Sequence, residues 1–455
     1  MKSKQLLKTG NIYSNLGKEG DIYDFTLKIV GLKDGASLRI TKGVVSGNIE
    51  RIEKDGIYKI YQPLETSWDQ LRIYIVISNP NLVDLNITIE QLPIYPGALV
   101  FDGVDDYSTC NNFPIPTKEK GYTVVALRQW ITRGEIAQGL VSNVKDWFND
   151  GAFLLEYRNV NANYFNSPMS FGTIGSEKDL PHILTYQTSK SYNGVSIITG
   201  NFTGTDVLYV GKLATRNVGI CINAAIWELV FLDHDATEEE LTKIKDYFVK
   251  TYPWLFPDQA WTVVGKTNED EDRATITNIT GNGNDLVLSN FGFAEGSGYN
   301  EEGEYAGYLV TDGVDDKVQS SSFTMNEDWT IVGDWELLSN VQINCGIVKA
   351  QNVYLYNIAN GLLISINNPL SLQSFGTKSL HAICSDGRLY DRNWVEYEYT
   401  VDQNFAIVES SLNIGFNLNN YTQIAFKNLG IYNNQILSKD DCIKAYNYLQ
   451  TLKAK

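Results

Sequence analysis

Apolar and polar residues alternate with a period of two along most of this chain. In the first ninety or so residues, "YDFTLKIV", "SLRITKG", "LRIYIVIS" and "VDLNITIEQL" alternate between turn signals at "KDG", "SGN" and "SNPN". They predict a small β-sandwich over residues 1–95, closed by the two prolines of "PIYPG". Further on, "YTVVALRQWI", "GVSIITGNF", "DVLYVGKL", "DWTIVGDWELL" and "VYLYNI" read as short antiparallel strands. Asn193-Gly194 and Asp386-Gly387 sit where type I′ hairpin turns belong. The period lengthens to that of a helix in two places only. Thr237 with Glu240, and Ser438 with Asp441, have capping-box spacing. Leu241, Ile244 and Phe248 follow the first pair, and Cys442, Ala445, Tyr446 and Leu449 the second. Each predicts a short amphipathic helix lying against a sandwich.

The pattern repeats after roughly 200 residues. "GALVFDGVDDY" at 97–107 returns as "GYLVTDGVDDK" at 307–317, "GYTVVALRQW" as "DWTIVGDWEL", and "LPHILTY" as "SLHAICS", which sets His182 opposite His381. "IWELVFLDHDATEEEL" returns as "FKNLGIYNNQILSKDDC". Four landmarks in one order indicate a duplication. The expected fold class is all-β, with three β-sandwich domains: 1–95, 96–256 and 257–455. The last two are duplicated jelly-rolls, each ending in a short helix. The Gly/Asn-rich stretch over 257–306 wraps onto the second copy, since a structureless connection of that length is rare.

Composition narrows the function classes. The formal charge is −17, with 54 acidic against 37 basic residues, which opposes binding to a phosphate backbone. Nucleic acid is not an expected partner. No apolar run reaches the roughly 18 residues of a membrane span, and the N-terminus carries no signal-peptide pattern. The five cysteines are scattered without a CxxC and read as buried thiols of a chain folded in a reducing cell.

Candidate chemistry is sparse. Asp102, Asp105 and Asp106, with Asp312, Asp315 and Asp316, offer clustered carboxylates of the kind a calcium ion takes. The spacing lacks the length and terminal Glu of an EF-hand loop. Aspartates that fold a tight turn by accepting backbone N–H groups are the favoured reading, and no cofactor is expected. Glu396 and Glu398 alternate on one strand, as a glycosidase pair does, but have no counterpart in the first copy, so an exposed strand face is expected. His182, His234 and His381 form no metal-ligand pattern. Trp147, Tyr157, Tyr164 and Tyr192 in the first copy, and Tyr354, Tyr356 and Trp394 in the second, are candidates for stacking on a sugar ring.

The ordered landmarks resemble the concanavalin A-like, laminin-G-type jelly-roll family over residues 97–455, with its "FDGvDDyv" strand-turn, its central His-to-Asp-Gly hairpin and its closing helix cap. Lys427 and Thr311 depart from that pattern in the second copy. The wording of "GKTNEDEDRATITNITGNGNDL" and "YPGALVFDGVDDY" is similar to virion proteins of crAss-like phages that infect Bacteroides. The resemblance implies a phage virion protein, a head or tail fibre or decoration protein, exposed on the particle. Its jelly-rolls would meet host-surface glycans or neighbouring subunits, and its N-terminal domain other virion proteins. It implies a homo-oligomer, dimer or trimer, and no enzyme. A bacterial or prophage-encoded carbohydrate-binding adhesin is the alternative, and a glycan depolymerase a third reading.

Overall fold

The computed structural model describes the chain apart from residues 1–11, 14–21, 43–46, 64–70, 78–85, 115–118, 132–137, 144–153, 159–161, 168–169, 174–182, 197–204, 213–220, 339–344, 351–352, 359–360, 367–372, 376–378, 400–407, 418–419 and 455. The chain is all-β and built of several antiparallel sandwiches, as its alternation dictates. It divides into two compact units, neither continuous in sequence. One comprises Met1–Pro96 with Ser289–Leu429, the other Gly97–Leu288 with Gly430–Lys455. Among the described residues no helix is long and apolar enough to cross a membrane.

In the unit that begins at Gly97, one sheet runs in the order Val195–Ser196, Ser191–Tyr192, Leu184–Thr188, Thr123–Trp130, Asn223–Leu232, Leu99–Asp102. The other runs Ser170–Thr173, Ala162–Ser167, Leu154–Arg158, Gln138–Ser142, Val207–Val210, Ser108–Asn111. Their inner faces meet through Phe101, Val124, Ala126 and Ile226 from the first and Leu140, Val141, Leu155 and Leu208 from the second. Interdigitated apolar side chains of this kind hold a sandwich together. The strand Thr123–Trp130 is buried at every position, not at alternate ones. Its run of Val124, Val125, Ala126 and Leu127 is that of a strand covered on both faces. Gln129 Nε2 donates to Thr451 Oγ1 at 2.9 Å, so the residues that follow the last helix lie against it.

Helix α1 (Glu238–Thr251) has the expected capping box. Thr237 Oγ1 accepts from the Glu240 N–H, and the Glu240 carboxylate accepts from the Thr237 N–H. Helix α2 (Lys439–Gln450) starts at Ser438, whose hydroxyl accepts from the Asp441 N–H, without the reciprocal bond. The shorter Asp side chain accepts from the Ser438 hydroxyl instead, at 2.7 Å. The expectation of two amphipathic helices holds for α1, where only Phe248 is buried. It fails for α2, which buries seven residues, including Asn447 and Tyr448 on faces the spacing assigns to solvent. A helix surrounded on all sides shows no clean stripe.

His234 bridges the start of α1. Its Nδ1 lies 3.2 Å from Asp233 Oδ1 and its Nε2 lies 3.0 Å from Glu240 Oε1. The Asp233 hydrogen bond, then that of Glu240, raises the imidazole above its ordinary 6.5. The Thr237 N–H, with help from His234, holds Glu240 down at about 2. A raised histidine stabilises the fold below pH 6.5, and that contribution disappears as pH climbs through the folded-state value. Glu240 contributes above its unfolded 4.5 and stops doing so as pH falls towards about 2. An NMR titration of the His234 ring should therefore give a midpoint above 6.5, and His234→Gln should remove the high-pH arm of the wild-type loss in Tm. A midpoint at or below 6.5 would show that the bridge does not form.

In the unit that begins at Met1, the N-terminal sandwich pairs two sheets. One runs Ile12–Tyr13, Leu71–Ile77, Ala36–Lys42, Gly47–Ile52, and the other Gly56–Pro63, Ile22–Val30, Thr88–Leu92. Leu27, Ile29 and Ile60 of one sheet pack with Leu38, Ile40 and Ile52 of the other. Second-copy strands run in the order Gly298–Asn300, Tyr308–Val310, Ile424–Asn433, Trp329–Leu337, Leu380–Cys384, Arg388–Asp391, Glu396–Glu398, and of Ile424–Asn433 the residues up to Leu429 belong to this unit. A further sheet includes Lys317–Met325, Val408–Ile414, Cys345–Ala350, Val353–Ile358, Gly361–Ile366 and Gln373–Phe375, in that order.

The Asn193-Gly194 turn has both residues left-handed, at φ 45° and 82°, as type I′ requires. At Asp386-Gly387 only Gly387 is left-handed, and its N–H donates to Cys384 O at 3.1 Å. That is the type I turn with a following left-handed glycine used by longer hairpin loops, and it corrects the type I′ expectation.

Candidate functional site

The repeated aspartates fold the same turn twice. In the first copy Asp102 Oδ1 accepts from Val104 N at 2.7 Å, and Asp106 Oδ2 from Asp102 N at 3.2 Å. In the second, Asp312 Oδ1 accepts from Val314 N at 2.7 Å and Asp315 N at 3.2 Å, and Asp316 Oδ2 from Asp312 N at 2.7 Å. The intervening glycine is left-handed in both, at φ 82° and 74°. A Cβ on Gly313 would stand 3.0 Å from the Gln423 nitrogen. Within each turn the carboxylate oxygens of the three aspartates lie within 4.8 Å of one another. Burial pushes Asp316 up to about 6, against the lowering effect of its hydrogen bonds from Asp312 N and Ser297 Oγ. Asp102, Asp106, Asp312 and Asp316 are thus engaged as acceptors of backbone N–H groups, which is what a turn asks of them.

The other sugar and acid candidates are placed as follows. Trp147 and His182 lie outside the described residues. Tyr157 lies on strand Leu154–Arg158, Tyr164 on Ala162–Ser167, and Tyr354 and Tyr356 on Val353–Ile358. Tyr192 is 3% exposed in the core of its sandwich, where the Thr185 hydroxyl donates to its oxygen at 2.9 Å. Trp394 is 4% exposed and packs edge-on against His381, with ring centres 5.6 Å apart. Neither ring offers a face to a pyranose. Burial in turn pulls His381 down to about 4. Glu396 and Glu398 are exposed on the strand Glu396–Glu398, which ends its sheet.

The sequence reading did not single out the cleft that the structure forms in the unit beginning at Gly97. It has a volume of about 640 Å³ and adjoins a second of about 570 Å³, with which it shares Val249, Asp258 and Gln435. The loop that lines it is braced by the buried Asn278. This side chain donates to Gln259 Oε1 and to Gly283 O, and its Oδ1 accepts from Ala260 N at 3.2 Å and Thr280 N at 3.1 Å. The Asn/Gly-rich loop is thereby clamped onto strand Gln259–Thr262. Thr280 and Asn282, which line the cleft, are fixed by donating to the Asp258 carbonyl at 3.1 and 2.8 Å. Asp258 Oδ2 accepts from Asn433 N at 2.6 Å, and burial raises this carboxyl above its ordinary range. Lys245 of α1 and Tyr448 of α2 add an ammonium and a phenol, and Phe256 and Pro257 add apolar wall. Hydrogen-bonding groups of both kinds thus converge beside apolar carbon in a concavity of ligand size.

No known family's sequence profile matches this chain, and no curated protein is similar to it. Among solved structures, it is similar to the Trypanosoma rangeli sialidase in complex with the inhibitor DANA, at 10% identity and a TM-score of 0.31 over 66% of this chain and 48% of that one. The same sialidase in complex with sialic acid gives 9% identity and a TM-score of 0.31, over 90% and 76% of the two chains. The receptor binding domain of botulinum neurotoxin D gives 11% and 0.30, over 76% and 91%. The chain thus spans about half the length of the sialidase in its DANA complex. Likenesses at this level carry no argument about chemistry. They do overturn one expectation: with sialidases among the similar structures, the exclusion of enzymatic activity is withdrawn.

Proposed function

We propose that this chain is a carbohydrate-binding β-sandwich protein, carried as a head or tail fibre or decoration protein of a phage particle, and that the Asp258 cleft receives the sugar. The cleft is the observation that carries the reading. Asp258, Thr280, Asn282 and Gln435 present carboxyl, hydroxyl and amide groups beside Phe256 and Pro257. Sugars are recognised by such polar groups acting on hydroxyls while apolar carbon meets the ring face. Support for the particle comes from the likeness of "GKTNEDEDRATITNITGNGNDL" and "YPGALVFDGVDDY" to virion proteins of crAss-like phages, and for the jelly-roll family from the duplicated landmarks. The chain would be displayed on the particle surface, where host glycans are met.

Binding of the purified chain to a printed array of bacterial surface glycans, followed by calorimetry with a retained glycan, tests the cleft. Asp258→Asn keeps the shape and should weaken binding about tenfold, the loss expected of a hydrogen bond to a charged group. Asn282→Ala should do the same by freeing the loop. An array on which no glycan is retained, or variants that bind as the wild type does, would count against this site. Mass spectrometry of purified particles tests the location separately, since absence of the chain would remove the virion reading and leave the cleft untouched.

A further inference from the structure

The duplication supplies an internal control for the opening strand of each repeat. Leu99 and Val100 correspond to Leu309 and Val310, and the side chains are identical. Leu309 and Val310 are 0% and 2% exposed, whereas Leu99 and Val100 are 60% and 44% exposed. The two copies also differ by one strand. In the second copy Gly298–Asn300 pairs antiparallel with Tyr308–Val310, setting Tyr299 against Leu309 and Gly298 against Val310. In the first copy Leu99–Asp102 pairs with Asn223–Leu232 on one side and ends its sheet on the other. Among the described residues nothing pairs with that free side. Val104 and Val314, at the tips of the two turns, are exposed alike, so the contrast is confined to the strand.

An exposed apolar edge is a template for another strand, and chains that need a free edge usually blunt it with lysine, proline or a bulge. Leu99–Asp102, "LVFD", carries none of these. We infer that the edge Leu99–Asp102 pairs with the same edge of a second copy of this chain, joining two sheets into one across a two-fold axis. Two observations favour a second copy as the occupant. The strand that fills the equivalent position in the second repeat is antiparallel and comes from this same chain. Antiparallel self-pairing also sends the two acidic turns, Asp102 to Asp106, to opposite ends of the joint. At about 3.4 Å per residue, the three steps from Leu99 to Asp102 separate the two Asp102 residues by about 10 Å along the strands, beyond the roughly 8 Å over which charges act at physiological salt. A self-complementary patch of this kind is what a two-fold dimer requires. The inference does not depend on the sugar cleft, which uses none of these residues.

Sedimentation of the full chain over about a hundredfold range of concentration tests it. Wild-type protein should dimerise reversibly, and the double substitution Leu99→Lys with Val100→Lys should weaken the dimer by more than about tenfold, while Tm at concentrations where both proteins are monomeric stays unchanged, because both side chains are exposed in the monomer. Hydrogen exchange on the wild type gives a reading that needs no variant: the amides of residues 99–102 should gain protection as the dimer forms. A chain that stays monomeric, a dimer indifferent to the two lysines, or edge amides protected only when another macromolecule is added would each overturn the inference.

Discussion

Trp261→Ala is expected to destabilise the unit that begins at Gly97 by about 3–5 kcal/mol, the cost of removing a fully buried large aromatic side chain. Trp261 is completely enclosed, and every residue of its strand, Gln259–Thr262, is buried. Its Nε1 donates to Asn284 O at 2.9 Å, so alanine leaves a cavity and removes the donor from a loop carbonyl. The carbonyl of the preceding residue, Gly283, is held by Asn278. For a unit of about 200 residues the loss corresponds to a fall in Tm of about 10 °C. Trp261→Phe keeps most of the volume and loses the hydrogen bond, so it should fall between alanine and wild type. Calorimetry checks both, and an alanine variant that melts with the wild type would contradict the burial of the ring.

Gly333→Ala should cost about 3 kcal/mol, at the upper end of what overpacking costs. A Cβ at this position would stand 2.6 Å from Asn428 O and would also strike the indole of Trp335. Trp329–Leu337 and Ile424–Asn433 are neighbours in the middle of their sheet, so the carbonyl has no room to withdraw. The indole can be trimmed and the carbonyl cannot. Trp335→Leu added to Gly333→Ala should therefore recover only part of the loss beyond its own cost. Urea unfolding measures it: the midpoint should drop while the slope stays constant. A neutral Gly333→Ala would mean that the two strands do not approach this closely.

The landmarks that announced a duplication were legible because turns and strand starts are local. Asp102 and Asp312 fold their turns with groups two to four residues away, so the same letters give the same geometry twice. The capping box at Thr237 is legible for the same reason. The cleft was not, since its polar groups come from α1, the strand entry at Asp258, the loop at 280–282 and residue 435, and no spacing in the sequence joins them. Tyr192 read as a ring free to stack, yet as Gln187's cross-strand partner it belongs to a hairpin whose side chains turn inward. The fate of Leu99 was illegible in a deeper sense. Leu-Val and the Asp-Gly-Val-Asp-Asp that follows recur around Leu309, and what differs among the described residues is a strand paired with one copy and not with the other.

The discontinuity of the two units has a consequence for biosynthesis. The unit that begins at Gly97 is completed by Gly430–Lys455, so its earlier part must wait while the intervening residues are made. At about 5–20 residues per second, that interval is about 7–28 s. During it, the strand Thr123–Trp130 lacks the Thr451 contact, and the Asp258 carboxyl lacks the Asn433 amide. Long-range closure of this kind slows folding and leaves apolar surface open to wrong partners. The first-made part of this unit is therefore held open until Gly430–Lys455 arrives to close it.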